Sequence, residues 1–347
     1  MIGKKHTPIE NWLWETQKPE LSDSARQTYE NLTDLDTDHP PLTNKLQDLD
    51  DPDRFRDEAQ VQQIAAVVKD AREVLDIGCG DGWPALRIAP HVRSVTVIDA
   101  AARRVDATRA NAEQLKLANV KFQQMSATEL DFADASFGAV VAAGALEQTD
   151  DPLRAMEQVF RVLRPGGKLF VQYEALDSQM KRPVAEEVFF REHPDGTLGW
   201  HYRLKHRSPA WERNYLVRFE NTPEGAAAFA TARDTIGRIG NSPFEIPEIG
   251  VQFLEANKAK IQGCSYYELE AFSAQAMIQS LEDVGFAEVH SVYSAGRLAD
   301  RVLPELETAL LKDNQLAVLA AGLGRLALGL PAPHDQGQPV VATKPQS

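Results

Sequence analysis

The sequence lacks several features that would place it in a specialised class of protein. Its 347 residues include only two cysteines, Cys79 and Cys264, which are too few for a disulfide framework and do not have the spacing of a metal knuckle. The longest apolar stretch, Leu316 to Leu330, is interrupted by Arg325 and glycines and is shorter than the ~20 residues that span a bilayer. The sequence therefore predicts neither a disulfide scaffold nor a transmembrane helix.

The chain also has fewer basic than acidic residues, and its first residues are polar. The chain has 37 Lys and Arg against 51 Asp and Glu, a formal net charge of -14. Such a surface repels phosphate backbones and anionic membranes, so nucleic acid is not an expected partner. The first residues are polar and do not form the apolar core of a secretory signal, and the low cysteine content fits a reducing compartment. We therefore expect a cytoplasmic protein.

Short apolar runs separated by helical segments dominate the sequence from Glu73 onward. Strands alternating with helices predict a parallel sheet of βαβ units. The predicted strands are Val74–Ile77, Val95–Ile98, Val120–Phe122, Ala139–Ala142, Lys168–Val171, Val289–Tyr293 and Val340–Ala342. The predicted fold is therefore α/β, a Rossmann-like, doubly wound sheet of seven strands.

Two segments interrupt this rhythm and define the predicted domains. A mixed α+β insertion follows the fifth strand, and a helical insertion precedes the last strand. The predicted boundaries are an N-terminal arm at 1–54, a cofactor-binding core at 55–175, a substrate lid at 176–266, the core continued at 267–296, the helical insertion at 297–337, and the last strand and tail at 338–347. Trp12 and Trp14 are expected to pin the arm to the core, with a lid over the cofactor as the alternative role. Asp51-Pro52 is expected to open the first core helix.

The segment Leu316 to Leu330 is apolar on nearly all sides and must be buried. It follows a helical apolar stripe formed by Leu303, Leu306, Ala309 and Leu310. Burial against the lid insertion is ranked first, a homodimer interface second and shallow membrane contact third. Both a monomer and a homodimer therefore remain open.

The sharpest local signal is a glycine-rich loop, Gly78 to Gly82, that directly follows the first core strand. The dinucleotide fingerprint G-x-G-x-x-G would need a third glycine where Trp83 stands. In addition, Asp76 and Asp81 would repel a pyrophosphate at this turn. The loop suits a cation without phosphates, and S-adenosylmethionine (SAM) is such a ligand. Asp99 ends the second strand, where a carboxylate accepts ribose hydroxyls in dinucleotide and SAM sites alike.

Four motifs extend this interpretation: Val74 to Gly82, Val97 to Asp99, Ser136-Phe137 with Gly144 to Glu147, and Arg161 to Leu169. Over about 55–175 and 268–295 the chain resembles class I SAM-dependent methyltransferases, among them the small-molecule enzymes of ubiquinone and menaquinone biosynthesis. The resemblance implies that Gly78 and Gly80 hold the methionine part of SAM, Asp99 the ribose, Ala100 the adenine face, Ser126 and Ala127 the adenine edge, and Ala143 the tail region. Asp76 and Cys79 complete the predicted cofactor site.

The same resemblance implies methyl transfer to a small-molecule acceptor, with three departures from the family pattern. Ser126 stands where family members commonly have Asp, and Gly138 where they often have Asp. Gln148 follows Glu147 where a His is frequent, which removes a familiar candidate base. Glu147 and Tyr173 are candidate catalytic residues because they lie near strand ends where α/β sheets bind ligands. His201 is a third candidate, since an ordinary pKa of ~6.5 suits proton removal near neutrality.

Several alternatives stay open. A basic cluster in the lid insertion, formed by Arg203, Lys205, Arg207, Arg213 and Arg218, is either a solvated sheet face or a binding surface for an anionic acceptor. A lipid-like acceptor is a further alternative. His193, His201 and His206 lack the spacing of a metal site, so no metal is expected. Other functions left open are a SAM-binding regulatory or scaffold protein without turnover, and non-methyl SAM chemistry.

Overall fold

The computed structural model describes residues 7–21, 49–173, 182–193, 195–207, 210–270, 272–306, 311–330, 332 and 339–346. Most of the predicted arm, the predicted boundaries near 175 and 337, and the Ala309-Leu310 end of the apolar stripe lie outside these residues. The chain divides into two compact units, which are Met1–Asp34 with Met180–Ala271, and Leu35–Gln179 with Phe272–Ser347.

The strands within the described residues are β1 (Glu20–Leu21), β2 (Glu73–Ile77), β3 (Ser94–Asp99), β4 (Val120–Gln124), β5 (Phe137–Ala143), β6 (Leu163–Gln172), β7 (Val184–Glu192), β8 (Leu198–Arg207), β9 (Ala210–Phe219), β10 (Ile261–Glu270), β11 (Ala287–Ser291) and β12 (Val340–Thr343). The α-helices there are α1 (Pro8–Thr16), α2 (Pro52–Val68), α3 (Ala85–Ile88), α4 (Ala102–Gln114), α5 (Pro152–Val162), α6 (Pro223–Ile239), α7 (Val251–Ala256), α8 (Ala274–Val284), α9 (Ala295–Val302) and α10 (Asp313–Gly329).

The larger unit is built on a seven-stranded sheet in the order β11-β12-β6-β5-β2-β3-β4. Strands β4, β3, β2, β5 and β6 are parallel neighbours, and β12 runs antiparallel to both β6 and β11. The predicted seven-stranded α/β sheet is confirmed. As predicted, Asp51 caps α2, accepting hydrogen bonds from the backbone of Asp53 and Arg54.

Helices cover both faces of this sheet, which makes it doubly wound. On one face, α5 and α8 bury Met156, Val159 and Met277 against the alternate side chains of β2, β5 and β6. On the other face, α2, α3 and α4 bury Ile64, Ile88 and Val105. Both faces of the central strands are therefore apolar, which explains why these strands appear in the sequence as continuous hydrophobic runs.

The apolar helix α10 is covered by α2, within the same unit. Leu316, Ala320 and Leu323 are buried in a cluster with Phe55 and Ala59 of α2. The two backbones meet closely at Gly324, where an added Cβ would lie 2.7 Å from the Gln63 nitrogen and 2.8 Å from the Gln62 carbonyl carbon. The expected burial within the chain is confirmed for this face of α10, but the helix that covers it is α2, because the small residues of α10 admit a close approach.

The smaller unit is a five-stranded sheet in the order β1-β10-β9-β8-β7, antiparallel except for the β1–β10 pair. Strands β7, β8 and β9 form most of the sheet of the predicted mixed insertion. Strand β10 was not predicted and continues beyond the predicted boundary at 266. The lid role of this unit stays a prediction.

Helix α1, from the predicted arm, packs within the smaller unit. Trp12 Nε1 donates to Glu255 at 2.5 Å, and Trp14 Nε1 donates to the Tyr215 hydroxyl at 3.2 Å. Ile9 and Leu13 join the buried cluster of the sheet. The two tryptophans thus attach the arm to this sheet.

A buried ionic network reinforces the attachment of α1. The Glu10 carboxylate, fully buried, accepts a 2.5 Å bond from Arg213 and a 2.9 Å bond from the Tyr215 hydroxyl. Arg213 also contacts Glu268 of β10. A buried charge persists only when it is paired in this way, so the network fixes α1 on the sheet.

Among the described residues, no helix is both long and apolar enough to cross a membrane.

Candidate functional site

The predicted cofactor residues meet at one edge of the seven-stranded sheet. Because β4, β3, β2, β5 and β6 are parallel neighbours, their carboxyl ends lie side by side. In the order β4 to β6, these ends present Ser126 and Ala127, Asp99 and Ala100, Gly78 to Gly80, Ala143, and Tyr173. Backbone bonds connect adjacent ends, including Gly78 to Ile98 at 2.9 Å and Gly144 to Gln172 at 2.7 Å. The larger unit therefore forms one continuous ligand edge.

The glycine loop at this edge leaves space beside a carboxylate. Gly80 has a φ of +56°, which favours glycine, and a Cβ added there would meet nothing within 4 Å. Its N–H donates to Asp99 Oδ2 at 3.3 Å, and the other oxygen of Asp99 accepts from the Ala101 N–H at 2.9 Å. Asp99 itself remains partly exposed. A ligand can thus approach the loop backbone and reach this carboxylate.

Two polar side chains of α4 hold the loop in place. The Thr108 hydroxyl donates to the Gly80 carbonyl at 3.0 Å, and the Asn111 amide donates to the Asp81 carbonyl at 2.7 Å. Sequence reasoning missed both residues. Their spacing of three places them on one helix face, but the sequence alone does not show which carbonyls they bond.

Asp76 differs from Asp99 although both carboxylates lie near this loop. Its side chain is fully buried, and neither oxygen has a hydrogen-bond donor among the described residues. Burial, and to a smaller extent the negative charge of Asp99, raise the pKa of Asp76 well above its usual value. The site therefore includes a carboxyl group that favours the neutral form.

The residues predicted to lie beside adenine, together with the Cys79 thiol, form a less polar part of the predicted cofactor site than Asp99 does. Ala127 is buried, whereas Ser126 is exposed and its hydroxyl bonds the Thr128 hydroxyl at 2.8 Å. Cys79 is buried in the loop, and burial raises the pKa of its thiol. Cys79 is therefore unreactive and contributes its small size and its backbone.

Two of the three catalytic candidates lie near the same edge. Glu147 is 5% exposed, in a short 3-10 turn just after β5, and Tyr173 is 4% exposed, directly after β6. The neighbouring Gln172 side chain accepts a 2.5 Å bond from Gln60 of α2, a contact that the sequence did not indicate. The edge thus combines ionisable and amide groups at the ends of β5 and β6.

Comparison with known proteins decides the family. Residues 75–171 match the model of a methyltransferase domain. The chain is 31% identical over 155 residues to the uncharacterized methyltransferase YcgJ of Bacillus subtilis, covering 42% of this chain and 60% of that protein. It is 33% identical over 153 residues to the O-methyltransferase rstn1 of Aspergillus nomiae, covering 42% of this chain and 67% of the relative. The chain belongs to the class I SAM-dependent methyltransferases.

A third relative extends the range of acceptors within the family. The phosphatidylethanolamine N-methyltransferase of Cereibacter sphaeroides is 35% identical over 130 residues, covering 37% of this chain and 62% of that protein. The chain thus spans about 60% of the length of the Bacillus and Cereibacter relatives. The methyltransferase domain match, residues 75–171, lies within the larger unit.

The residues of this methyltransferase fit its cofactor, SAM. The open side of Gly80 admits a ligand against the backbone, and Asp99 presents carboxylate oxygens for hydroxyl groups. Two acidic residues at the loop, Asp81 and the partly exposed Asp99, favour a sulfonium cation over a phosphate. The prediction of SAM is confirmed.

The third catalytic candidate, His201, lies on β8 of the smaller unit. Burial, followed by the charges of His193, Arg191 and Arg218, lowers its pKa to about 3. The imidazole is therefore neutral near pH 7 and binds a proton too weakly to serve as an effective base. The prediction was based on an ordinary pKa, and that basis is wrong.

The basic cluster of the smaller unit is paired internally. Arg203 contacts Glu187 at 2.7 Å, and Arg218 contacts Asp195 at 3.0 Å. Lys205 lies 3.9 Å from Glu212, and Arg213 joins Glu10. These four cations are balanced by acids of the same unit, so their clustering in sequence is no argument for an anionic acceptor.

Proposed function

We propose that the protein transfers the methyl group of SAM to a small-molecule acceptor. The observation that supports this most directly is the pairing of an open glycine loop with the Asp99 carboxylate at the carboxyl edge of the sheet. That edge combines backbone, carboxylate and buried acid in the arrangement that a cationic nucleoside needs. Family membership adds the reaction class.

Each residue of the edge has a proposed task. Asp99 accepts hydrogen bonds from the ribose hydroxyls of SAM, and the backbone at Gly78 and Gly80 lies along the methionine part of the cofactor. Ala100, Ser126, Ala127 and Ala143 line the rest of the cofactor. SAM supplies a methyl group on a sulfonium, and the transfer needs an acceptor atom held in line with the departing sulfur, away from water.

The proposed base is Glu147, with Tyr173 as a positioning residue beside it. An acceptor hydroxyl or amine loses one proton as its oxygen or nitrogen gains the methyl group, and the Glu147 carboxylate takes that proton. In Glu147→Gln, turnover should fall about 10²-fold or more, while the Kd for SAM stays unchanged. Wild-type turnover in this variant would contradict the assignment.

The acceptor class proposed is a small molecule with a hydroxyl or amine nucleophile. The relatives named as an O-methyltransferase and a phosphatidylethanolamine N-methyltransferase act, by their names, on oxygen and on a lipid amine. A lipid-like acceptor therefore remains within the proposal, whereas the internally paired cations give no support to an anionic one.

The experiment that tests the function is incubation with methyl-labelled SAM and fractionated metabolite extracts, including a lipid fraction. The labelled product is then identified by mass spectrometry. Asp99→Ala should lose the labelled product, and Asp106→Ala, an exposed carboxylate of α4, should keep it. If SAM binds but no extract yields a labelled product, the regulatory function is favoured over catalysis.

A further inference from the structure

Asp76 is an ionisable group at the cofactor edge that lacks hydrogen-bond partners among the described residues. It occupies the strand immediately before the glycine loop, its side chain is fully buried, and no described residue donates a hydrogen bond to it. Leaving an ionised carboxylate in such a place is costly, so the empty site favours the protonated group. Its near neighbour Asp99, by contrast, accepts two backbone hydrogen bonds.

Within the part of the chain that the structure describes, the charge that acts on Asp76 is negative, and no cation compensates it. At the paired positions on either side, β3 presents Val97 and β5 presents Val141. The charge that acts on Asp76 is that of Asp99, a second carboxylate, and the adjacent thiol of Cys79 is held neutral by burial. On the covering helices, the buried Glu58 of α2 pairs with Arg87 of α3. An added positive charge would therefore have a large effect on Asp76.

We propose that Asp76 couples cofactor binding to proton release: it is neutral in the empty protein and gives its proton to the solvent when the sulfonium cation binds. This inference rests on the proposed function, because it takes SAM as the ligand of the edge. The O–H bond of Asp76 breaks, the electron pair stays on the carboxylate, and the proton passes to water or buffer.

The coupling distinguishes the substrate from the product. SAM has a sulfonium, whereas S-adenosylhomocysteine has a neutral thioether in its place. Both ligands have the same α-ammonium and α-carboxylate, so the sulfonium is the charge by which they differ, and the ionised form of Asp76 is attracted more strongly to SAM. Raising the pH should therefore increase the preference for SAM over S-adenosylhomocysteine, and product release becomes easier where Asp76 takes its proton back.

Calorimetric titration with SAM in buffers of different ionisation enthalpy measures the protons released. Wild-type protein should release a measurable fraction of a proton with SAM, and less with S-adenosylhomocysteine. The SAM affinity should rise with pH by up to about tenfold per unit, the limit for one linked proton. In Asp76→Asn both effects should disappear, whereas Asp106→Asn, on the exposed side of α4, should behave as wild type.

A second readout, on the protein without ligand, guards against misfolding of the variant. A group whose pKa is raised by folding stabilises the fold below its unfolded pKa near 3.8 and loses that contribution as the pH rises through the folded pKa. Asp76→Asn should therefore gain thermal stability relative to wild type from about pH 4 upward.

SAM binding without proton release, or equal release in Asp76→Asn, would overturn this inference and leave the proposed function intact. Proton-linked SAM binding without any methylated product would do the reverse. Failure of the wild-type protein to bind SAM would overturn both.

Discussion

The smaller unit and the carboxyl edge of the larger unit differ in whether their ionisable side chains have partners within the protein. In the smaller unit, the buried Glu10 is bonded to Arg213 and Tyr215, and Arg203 and Arg218 of the sheet are paired with acids. At the carboxyl edge of the larger unit, Asp76 has no donor among the described residues, and Asp99 stays partly exposed. This difference indicates that ion-paired side chains stabilise the fold, whereas an ionisable side chain without a protein partner marks a ligand site.

The strongest test of this contrast is Glu10→Ala. Removing the carboxylate breaks a buried ion pair and leaves the Arg213 guanidinium, 8% exposed, with Glu268 as its remaining acid in the network. We expect the free energy of unfolding to fall by about 3 kcal/mol, the low end for a broken buried pair because Glu268 remains. Chemical denaturation followed by circular dichroism measures this.

Glu15→Ala is the matched control for Glu10→Ala, because Glu15 is exposed on the same helix. This variant should change the free energy of unfolding by less than about 0.5 kcal/mol. Equal effects of the two substitutions would show that the network does not hold α1.

The ligand side of the contrast is tested by Asp99→Ala. Losing hydrogen bonds between the ribose and a charged group should weaken SAM binding by roughly 1.5 to 3 kcal/mol, or about 10- to 150-fold in Kd. Unlike Glu10→Ala, this variant should unfold nearly as wild type does. A Kd for SAM that matches wild type would remove Asp99 from the cofactor site.

A smaller effect is expected where packing replaces charge, at the contact of α10 with α2. Gly324→Ala places a methyl group against the backbone of Gln62 and Gln63 and should lower the free energy of unfolding by roughly 1 to 3 kcal/mol. Gly322→Ala, two residues away, meets nothing within 4 Å and should be neutral or stabilising by up to ~1 kcal/mol. If both variants unfold alike, the close approach of the two helices is wrong.

The smallest effect belongs to the half-exposed pairs of the smaller unit. Arg218, 35% exposed, contacts Asp195, 49% exposed, at 3.0 Å. Solvent screens such pairs, so Arg218→Ala should cost less than about 1 kcal/mol of stability. A loss as large as that of Glu10→Ala would mean that burial does not explain the contrast.

The sequence predicted the larger unit well because its signals are local. Buried parallel strands appear as β-branched apolar runs, and a glycine loop between a strand and a helix has a recognisable spacing. The position of Asp99 at a strand end followed from these signals, whereas Ser126 and Ala143 were implied by the resemblance to the methyltransferase family. The parallel order of the sheet then brought them to one edge.

The remaining features depend on contacts between residues that are distant in sequence. Glu10 and Arg213 are separated by 203 residues, and no local pattern indicates that they pair. Strand β10 lacks the apolar run of a core strand, so it was missed. The basis for choosing His201 was wrong because a burial-shifted pKa is a property of the folded environment.

The central claim is that the acidic glycine loop binds SAM and not a dinucleotide. Isothermal titration calorimetry of the wild-type protein with SAM, S-adenosylhomocysteine and NAD, in one buffer, tests it directly. We predict one site for SAM and for S-adenosylhomocysteine and no detectable heat of binding for NAD. Binding of NAD, or of none of the three ligands, would contradict the account.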